Sequence, residues 1–144
     1  MPWVFPFLLS WFLCIVLSDR SRLKETLPFG LLSMFTELAV DITAIDLGFY
    51  YVNFSVIDIF GVSLFFMIGP AFNMGILYVQ SIPENGKWMM INIFVWALLF
   101  MAQEFLWVAK GAIVYVNWTY IYSMLVDILA FALFTAVYLK KKIR

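Results

Sequence analysis

Residues 88–108 read WMMINIFVWALLFMAQEFLWV, a run in which Glu104 is the single charged side chain. A helix needs about 20 predominantly apolar residues to cross the hydrocarbon core of a bilayer. This run reaches that length without a proline or a glycine. It therefore predicts a membrane-spanning helix and indicates that lipid is the solvent in which the chain folds.

Four further apolar runs have comparable length, and they cover residues 2–18, 27–51, 56–79 and 117–138. Hydrophobic residues make up 65% of the 144 residues and charged residues 12%, against about 25% charged residues in an ordinary soluble domain. Such a chain has too few polar side chains to cover a soluble fold. The sequence predicts an all-α polytopic bundle of five transmembrane helices, forming a single domain over residues 1–144.

The positions of the basic residues predict the orientation of this bundle. Lys and Arg accumulate in the short cytoplasmic loops of membrane proteins. With five spans, Lys110 lies alone on one side of the membrane, and the other side receives Arg20, Arg22, Lys24, Lys87, Lys140, Lys141, Lys142 and Arg144. We therefore expect the N-terminus outside the cell and the C-terminus in the cytoplasm of a plasma-membrane protein.

Composition also excludes several kinds of chemistry. The chain contains no histidine, which excludes imidazole metal sites and Ser-His-Asp or Cys-His catalysis. Cys14 is the single cysteine, so an internal disulfide is excluded and Cys14 is interpreted as a packing residue. The net charge of zero gives no reason to expect a nucleic-acid partner. The sequence identifies no cofactor.

Carboxyl groups within the predicted spans are the most informative feature. Glu37 and Asp41 are four residues apart, which places them one above the other on the same face of the second helix. On the fifth helix, Ser123 and Asp127 have the same spacing and extend from the outer surface towards the middle of the span. Glu104 adds a carboxyl group on the fourth helix.

Counting about 1.5 Å per helical residue places Glu37, Asp41, Glu104 and Asp127 in the middle and outer half of the membrane. No Lys or Arg lies within a predicted span to neutralise them, and an isolated charge at this depth costs at least a few kcal/mol. Our hypothesis is an outward-facing acidic cavity that binds a proton, a metal cation or a cationic ligand. The alternative is that each carboxyl stays protonated and hydrogen-bonds to a neighbouring helix.

Asp58 has a structural interpretation beside a functional one. Residues 55–58 read SVID, which has the spacing of a helix-capping box ahead of the third apolar run. Gly69-Pro70 lies within that run and predicts a kink in the third helix.

Three stretches carry a resemblance to a known family. They are Leu38-Ala39-Val40-Asp41 with Phe49-Tyr50-Tyr51, Asp58-Ile59-Phe60 leading to Gly69-Pro70 and Asn73, and Gln103-Glu104-Phe105 with Asn117-Trp118-Thr119-Tyr120. In these stretches the chain resembles a family of small multi-helix membrane proteins of spore-forming Firmicutes to which no activity is assigned. The resemblance implies a bacterial plasma-membrane protein, and it adds Asp58 to the candidate ligand-binding residues beside Asp41 and Glu104.

Three functions agree with these features. The leading one is a transport-related protein or accessory subunit with a carboxylate site, working as a homo-oligomer or in a larger membrane complex because five helices enclose only a narrow path. The second is an enzyme that uses Glu or Asp as a general acid on an isoprenoid or other lipid. The third is a structural or regulatory partner of another membrane protein. The absence of a recognisable substrate motif makes an enzyme the less favoured of the first two.

Overall fold

A computed structural model describes residues 2–143 of the chain. Within that range the chain is mostly helical, as predicted, and four short strands connect the helices. In chain order the elements are α1 Val4–Leu17, α2 Leu23–Asp46, β1 Tyr50–Val52, β2 Asp58–Ile59, β3 Val62–Ser63, α3 Leu64–Gln80, α4 Gly86–Ala109, β4 Ile113–Tyr115 and α5 Tyr120–Ile143.

Three of these helices are long and apolar enough to cross a membrane, and they are Arg20–Asp46, Gly86–Ala109 and Tyr120–Ile143. The first of these ranges includes the 3₁₀ turn Arg20–Arg22 that leads into α2. The remaining helices, α1 and α3, are apolar but shorter. The prediction of an apolar, membrane-type helical protein is thus confirmed for the long helices.

The centre of the bundle is the contact between α2 and α3, which glycines allow to be unusually close. A methyl group added at Gly75 of α3 would lie 2.4 Å from the carbonyl oxygen of Phe29 and 2.6 Å from Cβ of Ser33. Helix α1 packs on the outside of α3, and α5 packs against α4, α2 and α3. The α2–α3 pair therefore forms the middle layer between α1 and the α4–α5 pair.

Helices α2 and α4 end in the same way. Gly48 and Gly111 follow them with φ values of 71° and 69°, a conformation that glycine adopts without strain. In each case the next residue donates its N–H back to the last turn, Phe49 to Ala44 and Ala112 to Trp107, which completes a Schellman motif. The chain then turns across the end of the bundle.

The segments that leave these two caps pair with each other. Strands β1 and β4 are antiparallel, with Tyr50 opposite Tyr115, Tyr51 opposite Val114 and Val52 opposite Ile113. We call this side of the molecule the strand end. The opposite side is the basic end, where the described residues Arg20, Arg22, Lys24, Lys87, Lys140, Lys141 and Lys142 lie.

The predicted start of the third span is wrong. Residues 58–63, expected at the beginning of a helix, form a β2–β3 hairpin in which Ile59 pairs with Val62. Its two central residues, Phe60 and Gly61, have φ values of 54° and 83°, as a type I′ turn requires. The helix starts at Leu64, and the predicted kink at Gly69-Pro70 is a π-helical turn over Met67–Ala71.

Two other predicted boundaries also shift at the strand end. The second run was expected to be helical to about residue 51, but α2 ends at Asp46 because Gly48 turns the chain into β1. The fifth helix was expected from residue 117 and begins at Tyr120. In both places apolar and aromatic residues of the connecting segment continue the hydropathy pattern beyond the helix, so composition alone does not mark the boundary.

Candidate functional site

A small cavity near the strand end is lined by four carboxyl groups from three helices. Glu37 and Asp41 come from α2, Glu104 from α4 and Asp127 from α5, and Ser123 of α5 lines the same space. Aromatic and aliphatic side chains complete the wall, among them Trp3, Phe66, Phe100, Trp107 and Trp118. The structure therefore brings together five of the predicted site residues.

Two of the carboxyls are held by the paired tyrosines of the β1–β4 strands. The Tyr50 hydroxyl donates to Oδ1 of Asp41, and the Tyr115 hydroxyl donates to Oε1 of Glu104. Because Tyr50 and Tyr115 are opposite each other in the strand pair, one short sheet positions a donor over each carboxyl. The strand pair thus connects the ends of α2 and α4 beside the cavity.

Glu104 receives a second hydrogen bond from α5. Ser123 Oγ donates to Glu104 Oε1 at 2.7 Å, and Trp118 Nε1 donates to Ser123 Oγ at 2.7 Å. Ser123 is buried, so its hydroxyl is satisfied within this chain of donors. Tyr115 and Ser123 both donate to Glu104 while Trp118 donates to Ser123, and this arrangement suits a carboxylate acceptor at Glu104.

Asp127 differs from Asp41 and Glu104 in its surroundings. It is 7% exposed, and its Oδ2 atom is buried with no hydrogen-bond partner among the described residues. An ionised carboxylate buried without a donor is strongly unfavourable. Asp127 is therefore strongly favoured in a protonated or cation-bound form.

Asp58 does not belong to this site. Its side chain is exposed on β2, where Oδ1 accepts the N–H of Gly61 at 3.0 Å. The predicted role as a helix cap is wrong because no helix begins there, and the residue shapes the tight β2–β3 turn instead. Thr119, which continues the spacing of Ser123 and Asp127, is also exposed and lies just before α5.

Tyr50 and Tyr115 are the site residues that the sequence analysis missed, because it considered only carboxyl and serine hydroxyl groups within the predicted spans. A signal for them exists in the sequence. Asp41 lies seven residues before Gly48, and Glu104 lies seven residues before Gly111. A tyrosine follows each of these glycines within a few residues. The equal spacing reflects two helices that each carry a carboxyl about two turns before a glycine cap.

The cavity has a volume of about 40 Å³. A single water needs about 10–15 Å³ by the same measure, so the space accepts a few water-sized guests. No lysine or arginine is among the residues that line it. Within residues 2–143, no group of three or more Asp, Glu or Cys side chains is arranged to hold one metal ion.

The chemistry available in this cavity is therefore that of carboxyl, phenol and hydroxyl groups in mostly apolar surroundings. Such groups can hold and release protons, and they can provide oxygen ligands to a small cation. Comparison with protein-family models, with curated proteins and with solved structures finds no match to this chain.

Proposed function

We propose that the chain is a five-span bacterial plasma-membrane protein with the strand end outside the cell and the basic end in the cytoplasm. The charge distribution supports this orientation, because Lys110 is the one basic side chain described at the strand end. Helices α1 and α3 are shorter than the bilayer core, with lengths of roughly 21 and 26 Å at 1.5 Å per residue. A bilayer accommodates short spans by local thinning at modest cost.

The exposed side chains of α1 support the inclusion of this short helix among the spans. Phe5, Leu8, Phe12, Ile15 and Val16 are all more than half exposed. An apolar surface of this kind is unfavourable in water and favourable against lipid chains. The assignment to the plasma membrane of a spore-forming bacterium rests on the family resemblance in the stretches around Asp41, Asp58 and Glu104.

Within this fold, we propose that the carboxyl-lined cavity binds a proton or a small inorganic cation reversibly, in a transport-related protein or an accessory subunit of a membrane complex. The observation that carries the proposal is the convergence of Glu37, Asp41, Glu104 and Asp127 on one cavity without a basic side chain in its wall. Four carboxylates cannot all be ionised and unpaired in such a space. Protons or a cation must balance part of their charge.

The size of the cavity narrows the class of ligand. A volume of about 40 Å³ leaves room for water or a small ion but not for a bulky organic cation. The hydroxyl donors on Asp41 and Glu104 stabilise charge on these two groups, whereas Asp127 has an oxygen without a donor. This arrangement favours a mobile proton near Asp127, and the described residues offer no group of three ligands for a metal ion.

The test uses the purified full-length chain in liposomes and infrared difference spectroscopy, which detects the C=O stretch of protonated carboxyls without a reagent that must enter the cavity. We expect a protonated-carboxyl band that decreases as pH rises or as Na⁺, K⁺ or Ca²⁺ is added. Asp127→Asn and Glu37→Gln remove two of the carboxyls and should each remove part of the pH- and cation-dependent band.

Asp58→Asn is the matched control because Asp58 is an exposed carboxyl outside the cavity. If the band changes equally in Asp127→Asn, Glu37→Gln and Asp58→Asn, or if pH and cations leave the band unchanged, the proposed binding site is wrong. Proteoliposomes loaded with a pH-sensitive dye then distinguish transport from binding. A proton flux that the unsubstituted chain supports and the Asp127→Asn variant does not would identify a transport pathway.

One observation favours the second candidate, an enzyme that uses a carboxyl as a general acid on a lipid. Trp107 lines both the carboxyl cavity and a large apolar groove on the outside of α4. A lipid chain in that groove would therefore lie one side chain away from the carboxyls. The test is incubation with bacterial lipid extract, followed by mass spectrometry of the lipids. An enzyme would convert one lipid into a product, and the Glu104→Gln variant would not form that product.

A further inference from the structure

A large open groove lies between α1 and α4, and a charged side chain stands at its mouth. Its volume is about 890 Å³, within the range of pockets that enclose a small organic molecule. Phe5, Leu9 and Leu13 line one wall from α1, and Gln103, Leu106 and Trp107 line the other from α4. Phe54, Ser55 and Val56 close it at the strand end.

Helix α1 packs on α3 with one face, and its other face lines the groove opposite α4. Phe5 and Leu106 are 69% and 57% exposed, so apolar side chains face each other across an open gap. From Phe5 to Leu13 the helix rises roughly 12 Å. The groove is therefore almost as long as the hydrocarbon layer of one bilayer leaflet is thick. In a membrane, such a space accepts a hydrocarbon chain.

Lys110 supplies the polar end of the site. It lies at the mouth of the groove, directly after α4, and its side chain is exposed. The ion pairs formed between described residues join Arg22 to Glu25 and Lys142 to Glu84, both at the basic end. The positive charge of Lys110 is thus available to an external anion, at the depth where the apolar walls of the groove end.

We infer that the α1–α4 groove is a binding site for one anionic phospholipid, with an acyl chain along Leu9 and Leu106 and the phosphate-containing headgroup at Lys110. An apolar channel that ends in one cation matches a molecule with a hydrocarbon chain and an anionic head. Trp107 forms the floor of this site and packs against Trp3 and Phe66, at ring-centroid distances of 5.2 and 4.9 Å. The lipid would therefore support the wall shared with the carboxyl cavity.

The test is native mass spectrometry of the full-length protein, delipidated in detergent and titrated with phosphatidylglycerol or phosphatidylcholine of identical acyl chains. We expect one phosphatidylglycerol per chain to bind more tightly than phosphatidylcholine. Lys110→Gln should weaken phosphatidylglycerol binding about fivefold, which corresponds to one interfacial lysine. Lys87→Gln, at the opposite end of α4, should leave it unchanged.

A second pair of variants tests the position of the acyl chain. Leu9→Trp fills the groove and should reduce binding of both lipids, whereas Leu98→Trp places the same side chain on an exposed position of α4 outside the groove. Equal affinity for the two lipids with no effect of Lys110→Gln would overturn the assignment of the headgroup site. Equal effects of Leu9→Trp and Leu98→Trp, or a stable dimer that excludes lipid, would overturn the groove as a lipid site.

Discussion

Tyr50 and Tyr51 are neighbours on one strand, but only Tyr50 is buried and donates its hydroxyl proton to a carboxyl of the cavity. A buried carboxyl that loses its hydrogen-bond donor typically costs about 1–3 kcal/mol. We expect Tyr50→Phe to lower the free energy of unfolding by this amount. Chemical denaturation in detergent, followed by tryptophan fluorescence, measures the change.

Tyr51→Phe is the matched control for this substitution, because it removes the same hydroxyl from an exposed ring. It should change stability by less than about 0.5 kcal/mol. A similar loss in both variants would mean that the hydrogen bond to Asp41 contributes no stability.

At the basic end, two exposed carboxyls have hydrogen bonds that favour their charged form. The Asp19 carboxylate accepts from Ser21 Oγ at 2.6 Å and Ser21 N at 2.9 Å, and these bonds lower the pKa of Asp19. Lys142 donates to Glu84 at 2.9 Å and lowers the pKa of Glu84. Their stabilising effect is fully present above the ordinary carboxyl pKa of about 4 and is lost as pH falls through the lower, folded-state values.

This sign gives a prediction for Ser21→Ala. The substitution removes the side-chain donor, so the pKa of Asp19 should rise towards its ordinary value while the backbone bond from residue 21 remains. Carboxyl ¹³C shifts of labelled aspartate, followed between pH 2 and 6, measure the midpoint. An Asp19 midpoint that Ser21→Ala leaves in place would contradict the assigned cause.

Among the helices, the glycine caps of α2 and α4 decide where the strands of the site begin. Gly48→Ala and Gly111→Ala place a Cβ in open space, but each forces a non-glycine residue into a positive φ. We expect each to destabilise the fold by about 1–2 kcal/mol. Gly86→Ala is the control, since Gly86 also has open space and lies inside α4 without a positive φ.

The α2–α3 contact gives a larger expected effect with a different cause. Gly75→Ala would press its methyl group against the backbone of Phe29, which cannot move aside as a flexible side chain can. Overpacking of this kind typically costs about 1–3 kcal/mol or more. Thermal unfolding in detergent should therefore place Gly75→Ala below Gly86→Ala, and equal melting temperatures would show that the helices separate at no cost.

These elements show why sequence predicted the helices better than their connections. The apolar runs around residues 88–108 and 117–138 are long and lack breakers, so hydropathy identifies them. The hairpin at Asp58–Ser63 is equally apolar, and it differs from a helix by the Phe60-Gly61 turn that hydropathy does not register. Boundaries that depend on backbone conformation are invisible to a pattern based on side-chain polarity.

For the whole molecule, orientation in the membrane is the property that can be tested most directly. Cys14 is the only cysteine, so Cys14→Ser gives a cysteine-free chain into which one cysteine at a time can be introduced at exposed positions. We expect a membrane-impermeant maleimide to label Asn117→Cys in intact cells and Glu84→Cys only after permeabilisation. The reverse pattern would place the strand end in the cytoplasm.

At the same scale, the candidate site could be predicted only in part. Depth along each helix placed Glu37, Asp41, Glu104 and Asp127 at similar levels, and helical spacing placed Ser123 on the same face as Asp127. Neither property identifies Tyr50 and Tyr115, because their positions depend on long-range pairing of two strands that are far apart in sequence. The helix-cap prediction for Asp58 is wrong for a related reason, because residues 55–58 have the spacing of a capping box where the chain forms a hairpin.

The close contact at Gly75 also constrains how this molecule can move. Helices α2 and α3 approach each other backbone to backbone at this point, and we expect them to move together. Glu37 and Asp41 lie on α2, whereas Glu104 and Asp127 lie on α4 and α5, so a separation of α2 from α4 and α5 would open the cavity. The three residue pairs of β1 and β4 join the ends of α2 and α4, and we expect such an opening to require that these pairs separate.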